Sequence, residues 1–300
     1  MADAVPVTGT SGRSVAGGVL GLIGAALFVV GTLVPFSGGL YPERRLGPGG
    51  SAAYYFLVTT HLWIVASAAL ASASSLVLLR TQSILASGLL AGVGVWVLVE
   101  IASGAIGWWA TGGFEPGSVL MFVAAIALVV GGLLGRPAGP VPRGGSVPAA
   151  LAAAAGGVAV VVGSFVPYIV QFTPRGEVAQ ADTTLEGALQ GSFGASLSAL
   201  ALVALLTGTG GLVVRLATER SGWFLGALLA GIGFLVAATY LGHLVFSLRS
   251  PEFRPALGSY LLVAGGVLLA WAGVTSVGRV TTGSGGGGRP EPRPAAEPAS

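Results

Sequence analysis

The stretch "VVGTLVPF" (Val29–Phe36) returns as "VVGSFVPY" (Val161–Tyr168), 132 residues further along a 300-residue chain. Both copies end an apolar run on a proline followed by an aromatic residue. Proline is tolerated at a helix end and fixes the direction in which the chain leaves it. Aromatic rings favour the boundary between lipid and water. Pro35 with Phe36, and Pro167 with Tyr168, therefore read as structural turns at an outer membrane interface.

Working outward, the second half of the chain keeps matching the first. "LAGVG" (Leu90–Gly94) pairs with "LAGIG" (Leu229–Gly233), and "FEP" (Phe114–Pro116) with "FRP" (Phe253–Pro255). "LVLLR" (Leu76–Arg80) pairs with "GLVVR" (Gly211–Arg215). The offset drifts from 132 to 135 to 139, and the drift falls between apolar runs, as duplication with altered loops requires. Internal repeats of this kind point to a chain built from copies of one unit.

Composition settles the surroundings of that unit. The chain is 53% hydrophobic and 8% charged, whereas a water-soluble domain carries about 25% charged residues. So few charges cannot cover a surface facing water. A helix needs about 20 apolar residues to cross the hydrocarbon core. Eight runs qualify, near 14–36, 53–79, 83–107, 118–135, 149–170, 192–214, 222–247 and 257–278. A lone strand leaves its backbone groups unpaired in lipid, and no alternating barrel pattern is present, so the runs read as helices. The first run is too long for a secretion signal's apolar core and no A-x-A cleavage site follows it, so it is expected to be retained.

The expectation is an all-α integral membrane protein. Eight transmembrane helices form two parallel four-helix repeats, related by a pseudo-two-fold axis along the membrane normal. An even number of spans per repeat returns the chain to its starting side, so both copies share one orientation. The boundaries are an N-terminal tail over 1–13, a first repeat over 14–135, a Pro/Gly-rich linker over 136–148, a second repeat over 149–278, and a Gly/Pro-rich tail over 279–300 with no apolar periodicity, read as disordered.

All 14 basic residues are arginines. Placing both termini in the cytoplasm puts Arg13, Arg80, Arg136, Arg143, Arg215, Arg220, Arg279, Arg289 and Arg293 inside. Arg44, Arg45, Arg175, Arg249 and Arg254 then lie outside. That asymmetry agrees with the excess of positive charge in cytoplasmic loops and sets the expected localisation as a cell membrane. The heavy use of Ala, Gly and Val with no Lys suggests a bacterial source.

Several chemistries drop out. There is no cysteine, which removes disulfides, thiol catalysis and thiolate metal sites. No lysine means no phosphate-binding P-loop lysine and no Schiff base. The net charge of +3 forms no basic stripe, so no nucleic-acid partner is expected. No metal, cofactor or catalytic residue is assigned. The expected partners are the lipid bilayer and a further membrane protein or a second copy of the chain. Small residues at four-residue spacing permit close helix approach: Gly18–Ala26, Gly88 with Gly92, Ser67 with Ala71 and Ser75, and Ala227 with Gly231. These read as packing faces within the bundle or at a homodimer seam.

Three polar residues lie deep within the spans: Glu100, His61 and His243. A charge near the bilayer centre costs roughly 2.5–3.5 kcal/mol on insertion scales, and such residues usually face a bundle interior or a cavity. With the termini inside, all three fall in the outer half. Two readings of function follow. One is a non-enzymatic accessory or scaffold component of a bacterial envelope complex. The other is a transporter or channel for a small solute or lipid, with an outer-facing site around Glu100 between the repeats. In that case Glu100 titrates a proton or binds a cation, and His61 and His243 assist it.

Overall fold

A computed structural model describes residues 12–34, 62–109, 116–137, 146–173, 176–182, 192–220, 222–249 and 253–283. Helix α1 is Gly12–Leu33, α2 Leu62–Arg80, α3 Ile84–Trp109, α4 Pro116–Leu134 and α5 Val147–Phe165. Strands β1 (Ile169–Phe172) and β2 (Val178–Asp182) follow, then α6 (Ser192–Ala217), α7 (Trp223–Arg249), β3 (Phe253–Pro255) and α8 (Leu257–Gly283). All of these helices except α6 contain a stretch long and apolar enough to cross a membrane, seven in total. The apolar part of α6 described in full is the shorter Leu202–Ala217. The protein is a multi-pass α-helical membrane protein.

Large apolar side chains sit on the outside and small residues on the inside. On α4, Phe122, Val123, Ile126, Val130 and Leu133 are exposed, while Gly117, Ala124, Ala125, Gly131 and Gly132 are buried. Lipid is as apolar as leucine, so burial of oil does not sort the two faces. Close packing does, and small side chains let backbones approach. Several buried hydroxyls are satisfied within their own helix. Ser75 donates to the Ala71 carbonyl at 2.7 Å, Ser164 to Val160 at 2.8 Å and Thr239 to Leu235 at 2.8 Å. Each is satisfied by its own helix without water.

In the first half α1 packs on α2 and α4, and α3 packs on α2 and α4. In the second half α5 packs on α6 and α8, and α7 packs on α8 and, more lightly, on α6. The halves meet chiefly where α3 lies against α7, flanked by α2 on α7 and α3 on α6. Two cores result. One is centred on Phe28, Leu78, Leu90, Val93, Val97, Met121 and Leu128. The other is centred on Val160, Leu212, Leu229, Leu262 and Leu269.

The sheet lies outside the sequence reading, which runs the fifth span to residue 170 and leaves the rest to loop. Helix α5 stops at Phe165, because Val166 precedes Pro167 and is extended (φ −103°, ψ 144°). Residues from Ile169 onward form a three-stranded antiparallel sheet in the order β2–β1–β3. Its edges pair Ile169 with Asp182 on one side and with Pro255 on the other. The Arg254 guanidinium lies 4.9 Å above the Phe172 ring and ties β3 to β1 a second time. The sheet therefore caps the end of α7, against which β1 and β3 pack.

Candidate functional site

The seam between the halves is built on Gly88 and Gly92 of α3, and the same four-residue series runs on through Trp96 to Glu100, drifting about 40° round the helix at each step. Positions four apart lie nearly one above the other on a helix. The facing stripe of α7 is Ala227, Gly231, Leu235, Thr239, His243. At the first two levels the helices touch backbone to backbone. A Cβ on Gly92 would collide with the Leu228 carbonyl oxygen, and one on Gly88 with the Ala227 Cβ. A Cβ on Gly231 would fall 2.8 Å from the Leu89 carbonyl oxygen and 3.2 Å from the Gly92 Cα.

One turn further, large side chains fill the seam. Leu235 of α7 belongs to the first half's core, and Trp96 of α3 borders both cores. The next level is polar, with Glu100 half-buried on α3 and Thr239 buried on α7. His243 follows, also half-buried.

His243 sits in a three-ring cluster. Its ring centroid is 5.1 Å from Tyr168 and 5.8 Å from Tyr240, and the two tyrosines are 5.7 Å apart. The Pro167–Tyr168 turn that presents Tyr168 is held by the start of α8. Gly258 N donates to the Pro167 carbonyl at 2.9 Å. Ala256 N donates to the Tyr168 carbonyl at 3.1 Å, and the Ser259 hydroxyl donates to the same oxygen at 2.5 Å. This grip requires glycine at 258, where a Cβ would stand 2.5 Å from the Val166 carbonyl oxygen and 2.6 Å from that of Pro167.

Two of the residues singled out from sequence, His243 and Tyr168, are thus brought into contact. Pro167 follows the end of α5, and its carbonyl accepts from Gly258 N. Glu100 lies on the α3 side of the seam. His61, Pro35 and Phe36 lie outside the described residues. Among the described residues, no three His, Asp or Glu side chains gather as a metal site would need.

Sequence reasoning missed Tyr240, although its place three residues before His243 on one helix face was a readable signal. It also missed three buried polar atoms that find no hydrogen-bond partner among the described residues: the Ser67 hydroxyl and the indole nitrogens of Trp96 and Trp223. Ser67 is fully buried on α2. Buried polar groups are normally paired, and of these three Trp96 is one turn before Glu100 on the same helix.

Comparison of the chain with protein-family models, with characterised proteins and with solved structures finds no match. The class that fold and seam define is a multi-pass helical membrane protein with a polar level above a tightly packed helix crossing.

Proposed function

We propose that the chain is an eight-span protein of two parallel four-helix repeats. It acts as a non-enzymatic accessory or scaffold component of a bacterial envelope complex, with both termini cytoplasmic. The contact pattern supports the repeat. Gly94 approaches the Ala125 carbonyl and Val129 amide, at 2.8 and 2.7 Å from its would-be Cβ. Gly233, its counterpart in "LAGIG", approaches Gly266 and Ala270 in the same way at 2.7 and 2.8 Å. Both partners are displaced by 141 residues. Gly24 meets Ala124 and Leu128, and Gly156, 132 residues later, meets Gly265 and Leu269, again 141 apart. The α3–α7 contact pairs Gly92 with Gly231 and Gly88 with Ala227, which are equivalent positions in the alignment. Equivalent residues meet each other only on a two-fold axis.

The observation that carries the scaffold reading is the closed seam. Backbone contact at Gly88, Gly92 and Gly231 leaves no passage between the halves at that level. A molecule that buries its internal interface in rigid packing and turns large apolar side chains outward is suited to present helices to a partner.

The test is native mass spectrometry after gentle extraction from the host membrane. The expected result is a stoichiometric protein partner. Purification only as a bare monomer or homodimer rejects the scaffold reading.

One observation favours a second reading, transport of a small solute or lipid. Intramembrane acids mark functional pathways, and Glu100 stands two turns beyond the Gly92 contact, where the seam turns polar. On that reading a solute travels with the purified protein and is lost in Glu100→Gln.

A further inference from the structure

Ser67 of α2 and Trp96 and Glu100 of α3 lie within about one helical turn of one another in height. A Cβ on Gly21 of α1 would meet both the Ser75 hydroxyl and the Leu90 side chain, so Ser75 of α2 and Leu90 of α3 share a level. Helices α2 and α3 are joined by only three residues and run in opposite directions. From that level Ser67 lies eight residues along α2, about 12 Å at 1.5 Å per residue. Trp96 and Glu100 lie six and ten residues along α3, about 9 Å and about 15 Å in the same direction. Ser67 therefore falls between the other two in height.

Direction agrees with height. On α3, Gly92 faces α7 and Leu90 faces α1 and α2. Glu100 projects about 80° round from Gly92 at 100° per residue, midway between those directions. On α2, Ser75 faces α1, and Ser67 is about 80° round from it on the side away from α1. Helix α2 packs on both α3 and α7. The three side chains are thus placed at the junction of α2, α3 and α7.

The chemistry there is specific. The Trp96 indole only donates a hydrogen bond, the Ser67 hydroxyl donates or accepts, and the Glu100 carboxylate accepts. Neither the Ser67 oxygen nor the Trp96 nitrogen reaches a partner among the described residues. An ammonium group has no lone pair for the indole, and a carboxylate would oppose Glu100. A single oxygen that accepts and donates fits all three.

We propose that this junction binds a hydroxyl group, which accepts from the Trp96 Nε1–H and the Ser67 Oγ–H and donates to the Glu100 carboxylate. The hydroxyl belongs either to water or to a hydroxyl-bearing solute. The proposal deepens the second reading by naming the ligand chemistry of its site, but occupancy does not require transport.

The test is nuclear magnetic resonance of the full chain in lipid nanodiscs, with 15N in the indoles of its six tryptophans. The Trp96 resonance is identified by its loss in Trp96→Phe. It is expected to show cross-relaxation or exchange with the occupant. A cross-peak at the water frequency identifies water, and one to carbon-bound protons of a co-purified molecule identifies a solute. Ser67→Ala and Glu100→Gln should each shift the Trp96 resonance while the other five indoles, which report the fold, stay in place. A Trp96 resonance that exchanges with neither, or that ignores both substitutions, overturns the proposal. If the occupant signal persists in the wild-type protein while Glu100→Gln leaves solute uptake by proteoliposomes unchanged, the transport reading fails and the hydroxyl site stands.

Discussion

Helices α3 and α6 are both rich in glycine, and the two sets of glycines live in opposite environments. Gly88 and Gly92 of α3 are pressed against the backbone of α7, with no room for even a methyl group. On α6, among the described residues, a Cβ added at Gly208 or Gly211 would find its nearest neighbour 3.6 Å away, and one at Gly210 would meet nothing within 4 Å. The sequence writes both helices in the same small-residue alphabet. The difference is that α3 has a facing stripe of small residues, Ala227 and Gly231, while α6 lies against Leu225 and Leu229. Close approach needs small residues on both partners, because one large side chain holds two backbones apart.

The sharpest way to break this comparison is Gly92→Leu. The first added carbon already strikes the Leu228 carbonyl, so neither a rotamer change nor a side-chain shift relieves it. Overpacking of a close-packed interior costs about 3 kcal/mol at its upper range. Thermal unfolding in detergent should show a loss of that order, with the two halves separating before either melts. An unchanged unfolding temperature would mean that the α3–α7 crossing does not hold the halves together.

That crossing was partly legible. Ala227 with Gly231 and Gly88 with Gly92 stood out by spacing alone, because helix periodicity brings positions four apart onto one face. What spacing does not carry is which face meets which helix. Gly18, Gly21 and Gly24 of α1 meet α2, α3 and α4 of their own half, whereas Gly88 and Gly92 reach into the other half of the molecule. The site was legible to a similar extent. Glu100 and His243 were visible as polar residues in apolar runs, and Tyr168 as an interface aromatic. The union of His243 with Tyr168 required the sheet, and the sheet was hidden. Strands of three to five residues such as "FRP" carry too few side chains for an alternating pattern to rise above chance. β3 is held instead by pairing with β1, some 80 residues earlier in the chain. Ser67 was read as one more small residue in a packing stripe, since burial without a partner is a property of three dimensions.

Gly258→Ala tests a second backbone contact of the α3–α7 kind, at the foot of the sheet. The added methyl would stand 2.5–2.6 Å from two carbonyl oxygens that belong to the Val166–Tyr168 turn. Those carbonyls are fixed by the turn, so the start of α8 has to move away from them. The hydrogen bonds from Gly258 N and Ala256 N to that turn then lengthen. A loss of about 2 kcal/mol is expected from the clash and the weakened bonds. Hydrogen exchange should quicken in Ile169–Phe172 and leave α1 and α4 unaffected. Equal quickening throughout would mean that the sheet and the bundle unfold as one unit.

The smallest effect is expected where the comparison began, at Gly210. Gly210→Leu places a side chain where no described residue comes within 4 Å, on the face shared with Val203 and Val214, both exposed. No clash arises, and leucine is the better helix former by up to about 1 kcal/mol. Stability of the isolated protein should therefore hold or rise slightly, by about 0.5 kcal/mol, against the large loss at Gly92. The two measurements together separate the roles of glycine in this molecule. If Gly210→Leu is silent in the purified chain but removes a partner from the native mass spectrum, the open glycine face of α6 is where the scaffold reading places its contact. If it destabilises the purified chain as Gly92→Leu does, α6 packs against a surface of the same molecule, and the contrast between the two helices disappears.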